Sequence, residues 1–88
     1  MGKDTPMTAS EIAKHNTATD CWLIIEGKVF DCTEWLTDHP GGKAIILGVG
    51  GKDATKQFNA LHSKRTHKKL FEKGKFAPQV GVLASARL

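Results

Sequence analysis

The sequence predicts an α+β domain in which a small sheet supports two pairs of short helices. Residues 21–25 form a short apolar run rich in β-branched and aromatic residues, which predicts a buried strand. Glu26-Gly27 interrupts it, and residues 28–31 return as the second strand of a hairpin. The segment between residues 33 and 73 instead contains short helical stretches, separated by turns rich in proline and glycine. The chain has 88 residues, which suffices for one domain with a thin core.

Thr8 and Glu11 have the spacing of a capping box, which predicts a short helix after a flexible N-terminal arm over residues 1–7. The two hairpin strands follow. Thr33 is then expected to cap a helix that must end before Pro40, because a proline disfavours helical geometry in the residue before it.

The C-terminal half is predicted from its glycines and its apolar spacing. A short helix over residues 42–47 should end at the glycine cluster of residues 48–51. Asp53 is expected to cap the next helix, whose apolar stripe contains Ala54, Phe58 and Leu61. A basic helix should begin at Ser63, end near Gly74 and be followed by a closing strand, which places the domain at residues 8–83 and a tail at 84–88.

The charge distribution is uneven. Residues 1–40 have three lysines and seven acidic residues, a net charge of −4, whereas residues 41–88 have ten basic and two acidic residues, a net charge of +8. This asymmetry favours either a partner with an acidic surface or simply a solvated helix face. Aromatic residues are sparse there and no nucleic-acid motif is found, so nucleic acid is not an expected partner. The basic residues concerned are Lys64, Arg65, Lys68, Lys69, Lys73 and Lys75.

Cys21 and Cys32 are expected to pack as small apolar residues in a reducing compartment, since two cysteines do not make a disulfide framework. No apolar run reaches the roughly 18 residues of a membrane span. The expectation is therefore a soluble chain in the cytoplasm or facing it. The absence of a Cys-x-x-Cys-His motif excludes covalent c-type haem attachment.

Two of the four histidines occupy junctions between predicted helices. His39 is the first residue of a His-Pro-Gly-Gly turn, and His62 follows the apolar stripe, whereas His15 and His67 are expected to face solvent. Two helical hairpins that each contribute one imidazole, with apolar side chains between them, would suit a haem iron. Two alternatives remain open on this spacing: an ordinary apolar core, and zinc, which prefers three or four Cys or His ligands.

The residues around these histidines resemble the haem-binding signature of the cytochrome b5 family. The resemblance extends from about Thr8 to Leu83, nearly the whole chain. The matching segments are Cys21–Ile24, Val29–Leu36, His39–Gly42, Gly51–Thr55, Phe58 and His62-Ser63.

This resemblance implies an α+β, cytochrome b5-like fold: a small mixed sheet with two helical hairpins that form a haem pocket. It implies that His39 and His62 are the axial ligands of a non-covalent haem b (iron protoporphyrin IX), with Ser63 near a haem propionate. The residues expected to bind the cofactor are Ile25, Trp35, Leu36, Pro40, Gly41, Ile45, Ile46, Phe58, Leu61, Ser63 and Leu70.

The function implied is electron transfer between a reductase and an acceptor enzyme, by a monomer without catalytic residues. With both axial positions filled, the iron would cycle between Fe(III) and Fe(II) and bind no substrate. Two alternatives are kept, namely a haem domain of a larger multidomain oxidoreductase and a small-molecule binding module of the same fold.

Two features depart from the microsomal members of this family. The interval between His39 and His62 is one residue shorter, as in the b5-like domains of lactate-oxidising flavocytochromes. The microsomal proteins are also acidic, whereas the second half of this chain is basic, so a docking surface for an acidic partner is expected instead.

Overall fold

The computed structural model of the chain describes residues 4–38, 43–61, 64–73 and 77–84. Within these residues a five-stranded sheet has the strand order β1-β5-β4-β3-β2, with short helices before and after its central hairpin. In chain order the elements are β1 (Pro6–Met7), α1 (Ala9–Ala13), β2 (Asn16–Thr17), β3 (Asp20–Ile25), β4 (Lys28–Asp31), α2 (Thr33–Asp38), α3 (Lys43–Gly48), α4 (Thr55–Leu61), α5 (Lys64–Lys73) and β5 (Gln79–Leu83).

The sheet is mixed, as the sequence predicts. β3 and β4 are antiparallel and joined by Glu26-Gly27, whose φ angles of 51° and 79° match the two positive values of a type I′ turn. β5 pairs antiparallel with β4 and parallel with β1. The predicted hairpin and the predicted closing strand are therefore both confirmed.

The central strands bury side chains on both faces of the sheet, because successive residues of a strand point to opposite sides. Leu23, Ile25 and Phe30 belong to one apolar cluster, which we call the helical-face core. Ile24 and Val29 belong to a second cluster on the other face, where Met7, Ile12 and the half-buried Trp22 pack. α1 therefore covers one face, whereas α2, α3 and α4 cover the other.

The capping box predicted for α1 is confirmed. The Thr8 hydroxyl accepts from the Glu11 N–H at 3.2 Å, and the Glu11 carboxylate accepts from the Thr8 N–H at 3.0 Å. These bonds satisfy backbone groups that have no partner inside the helix. The bonds that the Thr8 N–H and the Thr8 hydroxyl donate to the Glu11 carboxylate lower the pKa of this carboxyl from its ordinary value.

The N-terminal segment differs from the predicted flexible arm at its last two residues. Pro6 and Met7 form β1 opposite Val82 and Leu83, and the Met7 side chain is buried. A two-residue strand gives little periodicity in a sequence, so the prediction missed it. The sheet therefore begins before the predicted domain boundary at residue 8.

The predicted caps of α2 and α4 are each displaced by one residue. Thr33 is the first residue of α2, and the carbonyl of Cys32 accepts the first helical bond from the Leu36 N–H at 3.1 Å. In α4 the Ala54 carbonyl has the same role toward the Phe58 N–H, at 2.9 Å, so Asp53 lies one position before the cap.

The glycine cluster after α3 allows the chain to pass close to α1 and return along β3. Gly51 has a φ of 74°, and a Cβ there would lie 3.0 Å from backbone atoms of Ala13. The next residues run beside β3: the Ile24 N–H donates to the Lys52 carbonyl at 3.0 Å, and the Ala54 N–H donates to the Ile24 carbonyl at 2.7 Å. This parallel pairing places the start of α4 on the sheet.

Candidate functional site

The first part of the site is a wall of half-buried apolar side chains over the helical-face core. Trp35 of α2, Ile46 of α3 and Phe58 of α4 all pack against this cluster, which contains Ile25 at 2% exposure. The structure thus brings together residues that are far apart in the sequence. Three helices and one strand contribute to the same apolar surface.

Two further predicted binding residues have different surroundings. Leu36 is 2% exposed and is therefore a core side chain. Ile45, next to Ile46 on α3, is 54% exposed, the one large apolar side chain exposed within the described part of the chain. Exposing an isoleucine is unfavourable by about 2 kcal/mol relative to burying it, so such a residue is a candidate for contact with a ligand or partner.

The two predicted iron ligands, His39 and His62, lie outside the described residues, as do Pro40, Gly41 and Ser63. The described helices border them: α2 ends at residue 38 and α3 begins at 43, while α4 ends at 61 and α5 begins at 64. Leu61 and Leu70 belong to α4 and α5, but their side chains also fall outside the described part. In the sequence, each histidine therefore lies between two of the described helices.

The helices that precede the two junctions begin with the same local arrangement. The Asp31 carboxylate accepts from the Thr33 N–H at 3.1 Å and from the Thr33 hydroxyl at 2.6 Å. The Asp53 carboxylate accepts from the Thr55 N–H at 2.9 Å and from the Thr55 hydroxyl at 2.6 Å. Each carboxylate satisfies one of the free N–H groups of a helix N-terminus.

The buried thiols are not grouped with other metal-binding side chains in the described part of the chain. Burial raises the pKa of the Cys32 thiol to about 12 and also raises that of Cys21, so both are protonated near neutral pH. A thiol binds zinc as the thiolate. Among the described residues no three His, Cys, Asp or Glu side chains are grouped closely enough to hold a metal ion. The cysteines are free and buried, as predicted.

The apolar wall suits a flat apolar cofactor better than a small ion. Its members include two aromatic rings, on α2 and α4, and aliphatic side chains from α3 and β3. A porphyrin is a large apolar disc that requires such walls, with nitrogen ligands added from the helix junctions. The wall is therefore of the kind that a porphyrin requires.

α5 presents the basic side chains that the sequence singles out. Lys64, Arg65, Lys68 and Lys69 are all exposed and lie on the helix that follows His62. The side chains of Lys73 and Lys75 are outside the described part of the chain. The positive charge is therefore concentrated beside one of the two junctions.

His15 has a structural role that sequence reasoning missed. Its ring stacks on that of Trp22, with centroids 3.5 Å apart and planes 4° from parallel, and its Nδ1 lies 2.8 Å from both carboxylate oxygens of Asp20. The expectation that His15 simply faces solvent is wrong. The spacing of these residues carries no periodic signal, because their contact depends on the pairing of β2 with β3.

The chain belongs to the cytochrome b5-like heme/steroid binding domain family, which it matches over residues 8–82. This match confirms the b5-like haem-binding class predicted from the resemblance. It covers all the elements described above except β1 and the last residue of β5.

Similar proteins include both free cytochromes and domains of larger enzymes. Cytochrome b5 of Nicotiana tabacum is 47% identical over 74 residues, which are 82% of this chain and 54% of that protein. Nitrate reductase [NADH] 2 of Arabidopsis thaliana is 49% identical over 61 residues, which are 69% of this chain and 7% of that protein. The chain thus spans about half of the first and a small part of the second.

A solved structure confirms the fold. Cytochrome b5 of Ostreococcus tauri virus 2 superposes with a TM-score of 0.77 at 42% identity, covering 96% of this chain and 100% of that one. The α+β, b5-like class predicted from the sequence is therefore correct. None of the described helices is both long and apolar enough to cross a bilayer; the longest, α5, has ten residues.

Proposed function

We propose that this chain is an electron-transfer domain that binds one haem b non-covalently, with His39 and His62 as the two axial ligands. The observation that supports the proposal is the apolar wall over the helical-face core, to which α2 and α4 contribute Trp35 and Phe58. In the sequence, α2 is followed by His39 and α4 by His62. Membership of a heme-binding family supports the same cofactor.

The residues of the chain would hold the cofactor and control its surroundings. Trp35, Ile46 and Phe58 would contact the macrocycle and keep water away from it, and Ile45 would become buried by it. Ile25 would form the floor. The bound iron supplies one-electron chemistry, whose potential depends on the axial ligands and on the polarity of the pocket.

Two imidazole ligands would leave no open coordination position, so this domain would pass electrons rather than transform a substrate. Similar sequences occur both as cytochrome b5 of Nicotiana tabacum and as a small part of nitrate reductase [NADH] 2, so we consider two contexts for such a carrier. It would act either as a separate protein between a reductase and an acceptor enzyme or as one domain of a larger oxidoreductase. A cytoplasmic or cytoplasm-facing location remains the prediction.

The exposed basic face of α5 suits a redox partner whose docking surface is acidic. It has four exposed cations within six residues and begins two residues after His62. Opposite charges raise the rate at which two proteins meet in a productive orientation, and salt weakens this effect. A partner bound there would lie beside the junction that carries one proposed ligand.

Titration with haemin tests the proposal. We expect the wild-type protein to take up one haemin per chain, whereas His39→Ala and His62→Ala should each lose the low-spin spectrum that two imidazoles produce. His67→Ala is the matched control, because this histidine of α5 was predicted to face solvent. Identical spectra for wild type and either ligand variant would overturn the ligand assignment.

A further inference from the structure

Strand β3 is tied to the N-termini of two different helices by threonine hydroxyls. At its beginning, the Cys21 N–H donates to the Thr33 hydroxyl oxygen at 2.9 Å. Just beyond its end, the Glu26 N–H donates to the Thr55 hydroxyl oxygen at 2.8 Å. The two anchored N–H groups are five residues apart, or about 17 Å along an extended strand.

Both hydroxyls have a fixed orientation, because each donates its proton to the aspartate two residues earlier. The distances from the hydroxyl oxygen to the carboxylate are 2.6 Å for Thr33 with Asp31 and 2.6 Å for Thr55 with Asp53. The hydroxyl lone pairs therefore remain free to accept from β3. We call each Asp-x-Thr unit, together with its β3 N–H, a strand clamp.

The two strand clamps hold the two helices that lead to the proposed iron ligands. α2 has six residues and is followed by His39, and α4 has seven residues and is followed by His62. At 1.5 Å per residue, each helix extends roughly 10 Å from its clamp. A single strand thus fixes the starting points of both ligand-bearing helices.

We propose that Thr33 and Thr55, oriented by Asp31 and Asp53, are positioning residues for the two haem ligands. This inference rests on the proposed function, since it assigns His39 and His62 to the iron. The clamps hold the origins of α2 and α4 at a constant separation on β3, so they fix the separation and orientation at which the two imidazoles reach the iron.

The two clamps differ in their exposure to water. The bond from Cys21 to Thr33 is partly buried, whereas the bond from Glu26 to Thr55 is exposed, so water can replace the lost acceptor only in the second. Thr33→Val should therefore increase the rate of haem dissociation about tenfold, and Thr55→Val about threefold.

The experiment measures haem transfer to apomyoglobin and the low-spin electron paramagnetic resonance spectrum of the oxidised protein. In Thr33→Val we expect faster haem loss and a changed spread of g values, because the ligand planes move. Thr33→Ser and Thr55→Ser keep the hydroxyl and should restore both readouts to within about twofold of wild type, since a twofold change corresponds to less than half of a typical hydrogen bond.

Thr8→Val is the matched control. Thr8 also holds a helix N-terminus through its hydroxyl, but α1 packs on the opposite face of the sheet and leads to no proposed ligand. This variant should lower the melting temperature without changing haem dissociation or the g values.

Three results would separate the possibilities. If Thr33→Val and Thr55→Val change only the melting temperature, as Thr8→Val does, the positioning role is overturned and the threonines are ordinary caps. If the wild-type protein takes up no haemin, the proposed function fails first. If Thr33→Val does not fold, Thr55→Val still decides, since its bond is exposed and its loss is the milder change.

Discussion

Gly81→Ala is a sharp test of how β1 packs in the sheet. Gly81 lies on β5 between β4 and β1, and a Cβ built there would be 2.6 Å from the Thr5 carbonyl oxygen and 2.8 Å from the Met7 methyl carbon. Ordinary contact begins at 3.4 Å, so the backbone of β1 must move by about 0.8 Å.

The cost follows from what β1 contributes. Its loss would expose Met7, now 5% exposed, and break the bonds that Val82 and Ala84 donate to the carbonyls of Thr5 and Met7 at 2.9 and 2.7 Å. Burial of the methionine and two backbone bonds together stabilise by about 4 kcal/mol. If β1 is only partly displaced, part of this stabilisation is retained. The lower conformational entropy of the unfolded alanine variant offsets the loss by roughly a further 0.5 kcal/mol. We expect Gly81→Ala to lower the free energy of unfolding by about 2 kcal/mol.

Urea unfolding followed by tryptophan fluorescence measures this change. Gly48→Ala serves as the control: a Cβ there meets nothing within 4 Å, and alanine should stabilise the end of α3 by about 0.5 kcal/mol. A Gly81→Ala protein as stable as wild type would refute the packing of β1 against β5.

Three other predictions concern titration and charge. Burial raises the pKa of the Cys32 thiol from an ordinary 9.0 to about 12, so the free energy of unfolding should fall as pH rises from 9.0 toward 12. Iodoacetamide should label this thiol only when the protein unfolds. Rapid labelling of the folded protein would contradict this prediction. Bonds from Thr8 lower the pKa of the Glu11 carboxyl, so the ionised carboxylate should stabilise the fold fully above pH 4.5. This stabilisation should disappear as pH falls through the lowered pKa. A Glu11→Gln variant whose melting temperature changes with pH in parallel with wild type over this range would argue against the prediction. The rate of electron transfer with a negatively charged redox protein should fall as ionic strength rises. Lys68→Glu, on α5, should make this rate less sensitive to salt. A wild-type rate that does not change with salt would exclude docking on α5.

Local signals in the sequence predicted the local structure well. The Glu26-Gly27 turn specifies a hairpin because both residues take positive φ angles, and Thr8 with Glu11 specifies a helix start because the two groups satisfy each other. In each case the deciding interaction lies within a few residues of chain.

Contacts between distant segments could not be predicted in the same way. The pairing of β1 with β5 joins residues 6 and 82, and the strand clamps join β3 to residues 33 and 55. Such contacts depend on which elements become neighbours, which neither propensity nor periodicity specifies. The sequence identified Ile25 and Phe58 as candidate wall residues, but only the fold shows that they pack in one cluster.

The stacking of His15 on Trp22 illustrates the same limit for side chains. Both residues were visible in the sequence, yet their contact follows from β2 turning back on β3. A histidine in a polar turn is usually solvated, so the residues that flank His15 in the sequence favour the incorrect prediction that it faces solvent.

If two imidazoles fill both axial positions of one haem iron, carbon monoxide has no position at which to bind. The absorption spectrum of the dithionite-reduced protein under this gas is therefore the most direct test. With His39 and His62 both bound, we predict a low-spin reduced spectrum that carbon monoxide leaves unchanged. A shift to a carbonyl-type spectrum on adding the gas would reveal an open coordination position and contradict the account.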